Sequence, residues 1–320
     1  MAAPDAPRPR RSRRWSVLLL VGLILGMSAA SAVWTNALGA GDRFENLLTR
    51  IELALDPPPV RPTRQTVAVT PRPTVEPTEA PSPTPVETAR PSDAPSRPPR
   101  TPSPTPSPTP APVREPVDVA IVDQPERMFA SEITEKWCAP AGTQMVLAIL
   151  GRADTSEGFQ RELVNRIDEW ESYEDSHNGG WGPAAMAEAL AAYGVPDYEI
   201  RAYEARADAL RDSAAAIRQM NKPVILLAWR GAHTWVMTGY RADADPAVFP
   251  DATVSGAYIL DPWFPRISSI WGPSDPPGTF QDVAEMERNF LPWRRPEGAY
   301  RDRDGKFIVL VPTVPLRPAG

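Results

Sequence analysis

The chain is poor in the residues that build disulfide frameworks and most metal centres. Its 320 residues include one cysteine and two histidines, which excludes an intramolecular disulfide, a zinc site of several thiolates and a histidine-rich metal centre. Lysine is also rare, with three residues, and residues 117–320 hold 20 basic against 30 acidic side chains. This balance is unlike that of a nucleic-acid-binding surface. We therefore expect no metal, no cofactor and no nucleic-acid partner.

Proline, in contrast, is abundant and concentrated in one segment. The chain contains 41 prolines, of which 21 lie within residues 57–116. Each proline removes a backbone donor and fixes φ, so this segment cannot form a packed core. Its Ser/Thr-Pro runs favour extended polyproline II conformation. We predict a disordered stalk over residues 57–116.

An uncharged segment near the N-terminus has the length of a membrane span. Residues 15–34 read WSVLLLVGLILGMSAASAVW, and five arginines lie within residues 1–14. By the positive-inside rule this pattern predicts a basic cytoplasmic tail, a transmembrane signal anchor at 15–34 and an extracytoplasmic remainder at the cell membrane. The alternative is a signal peptide cleaved near Ala32, which would give a secreted protein.

Residues 35–56 form a short segment between the anchor and the stalk. Their apolar residues recur at helical spacing, which predicts an amphipathic helix at the membrane surface or a self-association segment. These residues are Phe44, Leu47, Leu48, Ile51 and Leu55.

Residues 117–315 are expected to form one globular domain. Helical patterns come first, followed by short runs rich in β-branched, aromatic and aliphatic residues, and this order predicts an α+β fold with an antiparallel sheet. The expected helices follow Cys138 up to Gly151 and cover 157–170, 183–193 and 207–220. The expected strands cover 223–229, 234–240, 257–260 and 307–311.

Three residues in this domain carry the chemistry of a thiol hydrolase. Cys138 precedes a predicted helix, whose dipole and free N–H groups would stabilise a thiolate nucleophile. His233, at the start of a strand, could accept the thiol proton, and Asp261, at the end of the next strand, could orient the imidazole. Taken singly, each has a plainer interpretation, namely a buried apolar thiol, a structural histidine and an Asp-Pro turn.

Together, these segments resemble the papain-like cysteine peptidases of the bacteriocin-processing, double-glycine-leader type, the C39-like group. The resemblance rests on WCAPAG, PVILLAW, GAHTWVMTGY and YILDPW in that order, with GGWGPAAMAEALAAYG as the middle helix. It spans about residues 128–265. It implies a papain-like fold, with Cys138 as nucleophile, His233 as general base and Asp261 as orienting carboxylate.

One position departs from that family. Papain-like peptidases place a glutamine six residues before the cysteine as an oxyanion-hole donor, and here that residue is Glu132. An ionised carboxylate would oppose the oxyanion, and loss of such a donor lowers the rate by about 10²–10³-fold. Alternatively, burial could keep Glu132 protonated so that it donates, or Gln124 could take its place.

Several other residues invite a functional interpretation. Trp137, Trp181 and Trp235 are candidates to line the cleft, although tryptophans more often belong to the core. His177 is expected to be a solvated loop histidine. The acidic run 168–175 is expected to be a solvated helix face, because it lacks the alternating ligand spacing of a calcium loop.

We therefore expect a membrane-tethered, extracytoplasmic thiol hydrolase acting on a peptide or protein substrate in the cell envelope. Two alternatives remain. One is a catalytically impaired papain-like binding module at the cell surface. The other is a cell-wall peptide amidase or a transglutaminase-like acyl transferase, although the intervals of 95 residues from Cys138 to His233 and 28 to Asp261 suit the peptidase better.

Overall fold

The computed structural model describes residues 12–34, parts of 44–57, and residues 111–170, 181–294 and 300–316. His177, residues 171–175 of the acidic run and residues 58–110 of the expected stalk lie outside the described residues. The elements described below all belong to one unit of the chain, Met1–Pro62 together with Arg114–Gly320.

Helix α1 (Ser12–Trp34) covers the segment expected to be a transmembrane anchor. In the described part of the chain, no helix combines the length and apolarity needed to cross a membrane, so the expected anchor and its membrane contact at residues 15–34 have no support from the described helices. Further along, the described residues between 44 and 55 are helical. The apolar side chains expected there are exposed: Phe44, Leu47, Leu48, Ile51 and Leu55.

A seven-stranded antiparallel sheet forms the centre of the domain. Its strands are β1 (Val117–Ala120), β2 (Tyr198–Tyr203), β3 (Val224–Ala228), β4 (His233–Ala242), β5 (Val254–Leu260), β8 (Thr279–Asp282) and β9 (Phe307–Pro312). The strand order is β2-β9-β3-β4-β5-β8, and β1 pairs with residues 239–242 of β4, beyond the stretch that pairs with β3. A small separate sheet contains β6 (Ile267–Ser268) and β7 (Gly272–Pro273).

Within the described residues, six helices accompany this sheet, together with two short 3-10 turns at Ile167–Glu169 and Trp229–Gly231. Helices and an antiparallel sheet together confirm the predicted α+β class. The helices are α2 (Pro125–Met128), α3 (Cys138–Ile149), α4 (Glu157–Asn165), α5 (Pro183–Ala192), α6 (Arg206–Met220) and α7 (Val283–Asn289).

The central strand β3 separates two hydrophobic cores, one on each face of the sheet. Val224, Leu226 and Ala228 pack into the core that includes α6. Ile225 and Leu227 pack into the core that includes α3 and α5. A strand buried on both faces has a continuous apolar sequence rather than an alternating one, which accounts for the PVILLAW run.

Helix α3 packs closely against β4, and this contact positions the site. Gly142, in the middle of α3, faces Thr234 of β4 so closely that an added Cβ would lie 2.4 Å from Thr234 Cγ2. A glycine at this point lets the helix and the strand approach each other. As a result, the first residue of α3 and the first residue of β4 lie at the same end of the domain.

Some boundaries and elements differ from the sequence-based predictions. The helix expected over 157–170 ends at Asn165 and continues as a 3-10 turn, because Trp170 turns into the core, where it is 2% exposed and packs 5.6 Å from Trp181. Strands β1, β2 and β8 and helix α7 were not predicted. These strands are short or mix polar with apolar residues, so they owe their conformation to pairing with distant strands.

Candidate active site

Cys138 is the first residue of α3, and Trp137 precedes it as an N-cap residue without a side-chain capping bond. The N–H groups in the first turn of a helix have no intrahelical partner and carry partial positive charge. The half-buried Cys138 Sγ lies 3.8 Å from the carbonyl oxygen of Ala232, so the thiol lies beside the residue that precedes His233.

His233 and Asp261 form a buried hydrogen-bonded pair. β4 begins at His233 and β5 ends one residue before Asp261. Because these neighbouring strands are antiparallel, the start of β4 and the end of β5 lie at the same end of the sheet. The His233 Nε2 and Asp261 Oδ1 atoms are 2.7 Å apart, and the side chains are 2% and 8% exposed. The Trp263 backbone N–H also donates to Asp261 Oδ1, at 2.9 Å.

The thiol, the imidazole and Glu132 meet in one place. A carboxyl oxygen of Glu132, the sulfur of Cys138 and a ring nitrogen of His233 all lie within 4.8 Å of one another. Since Asp261 occupies Nε2 of His233, the other ring nitrogen, Nδ1, is the one left to accept a proton from Cys138. The structure therefore brings together all four residues that the sequence placed in the catalytic centre.

The charges around His233 favour its protonated form. Burial alone lowers the pKa of His233, but the Asp261 carboxylate and Cys138 raise it, and the net shift is upward. An imidazole with a raised pKa is a strong acceptor for the thiol proton, and the resulting imidazolium is stabilised by Asp261.

Aromatic rings fix the position of the imidazole. Trp229 stacks on His233 with ring centroids 3.9 Å apart and an interplanar angle of 18°, and Trp263 approaches the imidazole edge-on at 6.3 Å. Trp229 is fixed in turn, since its Nε1–H donates to Asn289 Oδ1 at 3.0 Å. The imidazole therefore has little freedom to turn away from Cys138.

Hydrogen bonds on both sides of Glu132 hold its backbone in place. The Gln160 side chain of α4 donates to Ser131 O at 3.1 Å and accepts from the Ile133 N–H at 2.8 Å. The Glu132 N–H donates to Pro262 O at 2.9 Å, next to Asp261. Glu132 is thereby fixed between α4 and the turn that carries the orienting carboxylate.

The Glu132 carboxyl group is buried and only partly satisfied. Its Oε1 accepts from Arg266 Nη1 at 3.3 Å, whereas its Oε2 has no hydrogen-bond partner among the described residues. Burial raises the pKa of Glu132 to about 7, although His233 and Arg266 act to lower it. A carboxyl with this pKa is substantially protonated at neutral pH and can then donate a hydrogen bond.

The remaining sequence candidates lie in different surroundings. Gln124 is exposed at the N-cap of α2. Trp235 is 3% exposed and packs in a hydrophobic core, and together with Trp229 and Asp261 it also lines a small pocket. Trp137 and Trp181 are partly buried, the former with the Arg161 guanidinium 6.0 Å from its ring and the latter packed on Trp170.

Several residues that contact the site were not singled out from the sequence, among them Gln160, Arg266, Trp229 and Trp263. Each acts on a residue far away in the chain or across a turn; Arg266, for example, is 134 positions from Glu132. No local pattern marks them, because a single glutamine, arginine or tryptophan is ordinary in a helix, a loop or a strand.

Comparison with known proteins identifies a family and similar solved structures. A model of the Peptidase_C39 like family matches residues 117–281, which include Glu132, Cys138, His233 and Asp261. Among solved structures, the crystal structure of a double glycine motif protease from an AMS/PCAT transporter in complex with the leader peptide is similar, with 18% identity and a TM-score of 0.29. The similarity covers 58% of this chain and 91% of that chain. No curated protein matches.

Proposed function

The chain belongs to the Peptidase_C39 like family, and on that premise we propose that it is a cysteine peptidase hydrolysing peptide bonds with Cys138, His233 and Asp261. One observation carries the proposal. The Cys138 thiol, at the start of a helix, lies close to the His233 imidazole, and Nε2 of this imidazole is hydrogen-bonded to the buried Asp261 carboxylate. This is the geometry of nucleophile, base and orienting group in a triad.

The chemistry follows from the positions of these groups. His233 Nδ1 takes the proton of the Cys138 thiol, and the thiolate attacks the carbonyl carbon of the peptide bond. The tetrahedral intermediate collapses when the imidazolium gives its proton to the leaving amine. Water, activated by His233, then hydrolyses the thioester and releases the free thiol. Asp261 holds the imidazole through Nε2 during both steps.

Two groups are placed to stabilise the oxyanion. One is the backbone N–H of Cys138, in the free first turn of α3. The other is the Glu132 carboxyl, which occupies the position of the glutamine in papain-like peptidases and whose pKa is raised to about 7. In its protonated form Glu132 offers an O–H donor where the family offers an amide N–H.

We propose that the peptidase domain works outside the cytoplasm and is tethered to the cell membrane, with a peptide or protein of the cell envelope as substrate. The support is sequence-based: arginines precede the uncharged residues 15–34, and a proline-rich segment separates these from the domain. Secretion after cleavage near Ala32 is the alternative.

A second candidate function is a binding module without turnover. It is favoured by the unsatisfied Glu132 Oε2, since an ionised carboxylate at this position would repel a developing oxyanion. In that case the same cleft would bind a peptide without cleaving it.

A thiol-reactive, peptide-like probe and peptide hydrolysis together test the proposal. Cys138 is the only cysteine, so Cys138→Ala should abolish both labelling and hydrolysis. His233→Ala should slow labelling strongly, whereas His177→Ala, which removes the other histidine, should leave it unchanged. Hydrolysis that survives Cys138→Ala would overturn the cysteine mechanism; rapid labelling without hydrolysis of any peptide would favour the binding module.

A further inference from the structure

The cluster of Glu132, Cys138 and His233 at the start of α3 also consists of residue types that bind metal ions. Glu132, Cys138 and His233 each present one ligand atom, and the three atoms lie within 4.8 Å of one another. They come from three separate elements: the segment before α3, the start of α3 and the start of β4. Composition excludes a site of several thiolates or several histidines, but it leaves open a site with one ligand of each type.

A second observation points to a ligand at this position. The Glu132 side chain is 0% exposed, and its Oε2 has no hydrogen-bond partner among the described residues. A buried carboxylate oxygen without a partner is rare in folded proteins and costs free energy. A cation held between this oxygen, the sulfur and the imidazole would satisfy it.

The surrounding contacts resemble those that orient metal ligands. Ligating histidines typically bind a carboxylate through their other nitrogen, and His233 does so through Asp261 at 2.7 Å. Ligating carboxylates are themselves hydrogen-bonded, as Glu132 is by Arg266. These contacts involve His233 Nε2 and Glu132 Oε1, so His233 Nδ1 and Glu132 Oε2 remain available beside the Cys138 sulfur, in a cluster whose ligand atoms lie within 4.8 Å of one another.

We propose that Glu132, Cys138 and His233 bind a Zn²⁺ ion that reversibly inhibits the peptidase. Thiolate, imidazole and carboxylate are the zinc ligands found in proteins, and three of them leave a fourth tetrahedral position for water. Zn–S and Zn–N distances of about 2.3 and 2.0 Å place neighbouring ligands roughly 3.5 Å apart, so side-chain rotation from the present separation suffices.

The charges balance when the metal binds. Any proton held by the Cys138–His233 pair or by the Glu132 carboxyl is released to solvent on binding, so thiolate and carboxylate together neutralise the two positive charges of zinc, and His233 binds as neutral imidazole. With a glutamine in place of Glu132, the same buried site would keep a net positive charge, which a low-dielectric environment disfavours. The carboxylate that departs from the papain-like pattern is therefore the group that favours the metal.

Zinc and catalysis compete for the same atoms. A bound ion occupies the sulfur that attacks the substrate and the His233 nitrogen that accepts the proton. The inhibitory consequence rests on the proposed peptidase function, whereas the binding itself does not.

Metal affinity is measured on the full chain by competition with a chromophoric zinc chelator. We expect one Zn²⁺ per chain, and Co²⁺ in its place should show a thiolate-to-cobalt charge-transfer band. Glu132→Gln should weaken zinc binding at least 10-fold, by comparison with the 10–100-fold effect of losing an outer-shell contact. The matched control Glu126→Gln removes an exposed carboxylate of α2 and should bind as the wild type. Equal affinity of wild type and Glu132→Gln would overturn the proposal.

The wild-type cobalt spectrum needs no variant and keeps the test valid if Glu132→Gln folds poorly. No charge-transfer band, or zinc binding unchanged in Cys138→Ala, would also overturn the proposal. Protection of Cys138 from the thiol probe by Zn²⁺, reversed by a chelator, reports binding without substrate. If zinc protects the thiol while the metal-free protein hydrolyses no peptide, the metal site stands and the peptidase function falls. If the protein hydrolyses peptides and zinc gives no protection, the peptidase function stands and the metal site falls.

Discussion

His233 Nε2 lies 2.7 Å from Asp261 Oδ1, with both side chains almost completely buried. The contact joins the start of β4 to the turn after β5, and the Trp263 N–H fixes the same carboxylate oxygen. A short, buried hydrogen bond to an ionised acceptor is among the strong ones in proteins. It determines which imidazole nitrogen is left to face Cys138.

Replacing the orienting carboxylate should lower turnover without removing the nucleophile. Removal of the triad carboxylate of a serine protease lowers kcat by about 3 × 10⁴-fold, and we expect Asp261→Ala to approach this loss in peptide hydrolysis. Asp261→Asn should retain more activity, because its amide oxygen can accept from His233 Nε2 as in Cys-His-Asn triads. Equal kcat values for the two variants would show that the hydrogen bond does not orient the imidazole.

Glu132 should control the pH dependence of hydrolysis, measured with a chelator present. The groups that face it are His233, Arg266, Asp261 and Glu135, and burial raises its pKa to about 7. Below this pH the carboxyl is protonated and donates to the oxyanion; above it the donor is replaced by a negative charge. We expect kcat to fall as the pH rises through about 7.

Variants of Glu132 distinguish the effect of its hydrogen-bond donor from the effect of its negative charge. Glu132→Gln should preserve or raise kcat at neutral pH and should abolish the fall at higher pH, because an amide donates at every pH. Glu132→Leu removes the donor and should lower kcat by about 10²–10³-fold. A fall that persists unchanged in Glu132→Gln would assign the titration to another group.

Trp229 should contribute to both stability and turnover. Trp229→Ala removes a buried ring that stacks on His233 at 3.9 Å, and we expect a loss of about 3–5 kcal/mol in the free energy of unfolding together with lower kcat. Trp229→Phe keeps an aromatic face but leaves Asn289 without the indole donor. Trp229→Phe should lower the free energy of unfolding by about 1–3 kcal/mol and keep a higher kcat than Trp229→Ala. Urea unfolding measures the first quantity and peptide hydrolysis the second. Equal kcat in both variants would argue against a positioning role.

Gly142 should be required for the approach of α3 to β4. An added Cβ would lie 2.4 Å from Thr234 Cγ2, and such overpacking destabilises by about 1–3 kcal/mol. Gly158 of α4 is the matched control, because its added Cβ would meet only Ser156 Oγ at 3.6 Å. Gly158→Ala should stabilise by up to about 1 kcal/mol. Thermal unfolding measures both, and a Gly142→Ala protein as stable as Gly158→Ala would contradict the close contact.

The proposed tether can be tested on intact cells. If residues 15–34 anchor the chain with residues 1–14 inside, added protease should cut the proline-rich segment and release the domain in soluble form. An antibody to the domain detects the fragment, and a cytoplasmic protein is the control for lysis. Protection of the domain until the cells are lysed would contradict this topology, while a soluble domain before protease is added would favour cleavage near Ala32.

Local sequence was sufficient for the elements that present the triad. α3 begins at Cys138, where Pro140 suits the first turn of a helix, and α5 begins at Pro183 as predicted. β4 and β5 lie where apolar runs predicted strands. The order of Cys138, His233 and Asp261, with the intervals between them, also indicated the family, since these features depend on short segments that can be read directly along the chain.

The tertiary structure alone decided the state of Glu132 and the surroundings of the imidazole. Glu132 lies outside regular structure, and its burial depends on Gln160, Pro262 and Arg266, which the fold brings from distant positions. Trp229 contacts His233 because a short turn connects β3 to β4. Desolvation, which raises the pKa of Glu132, is a property of everything packed around a group, so the sequence near position 132 could identify the residue but could not determine its protonation.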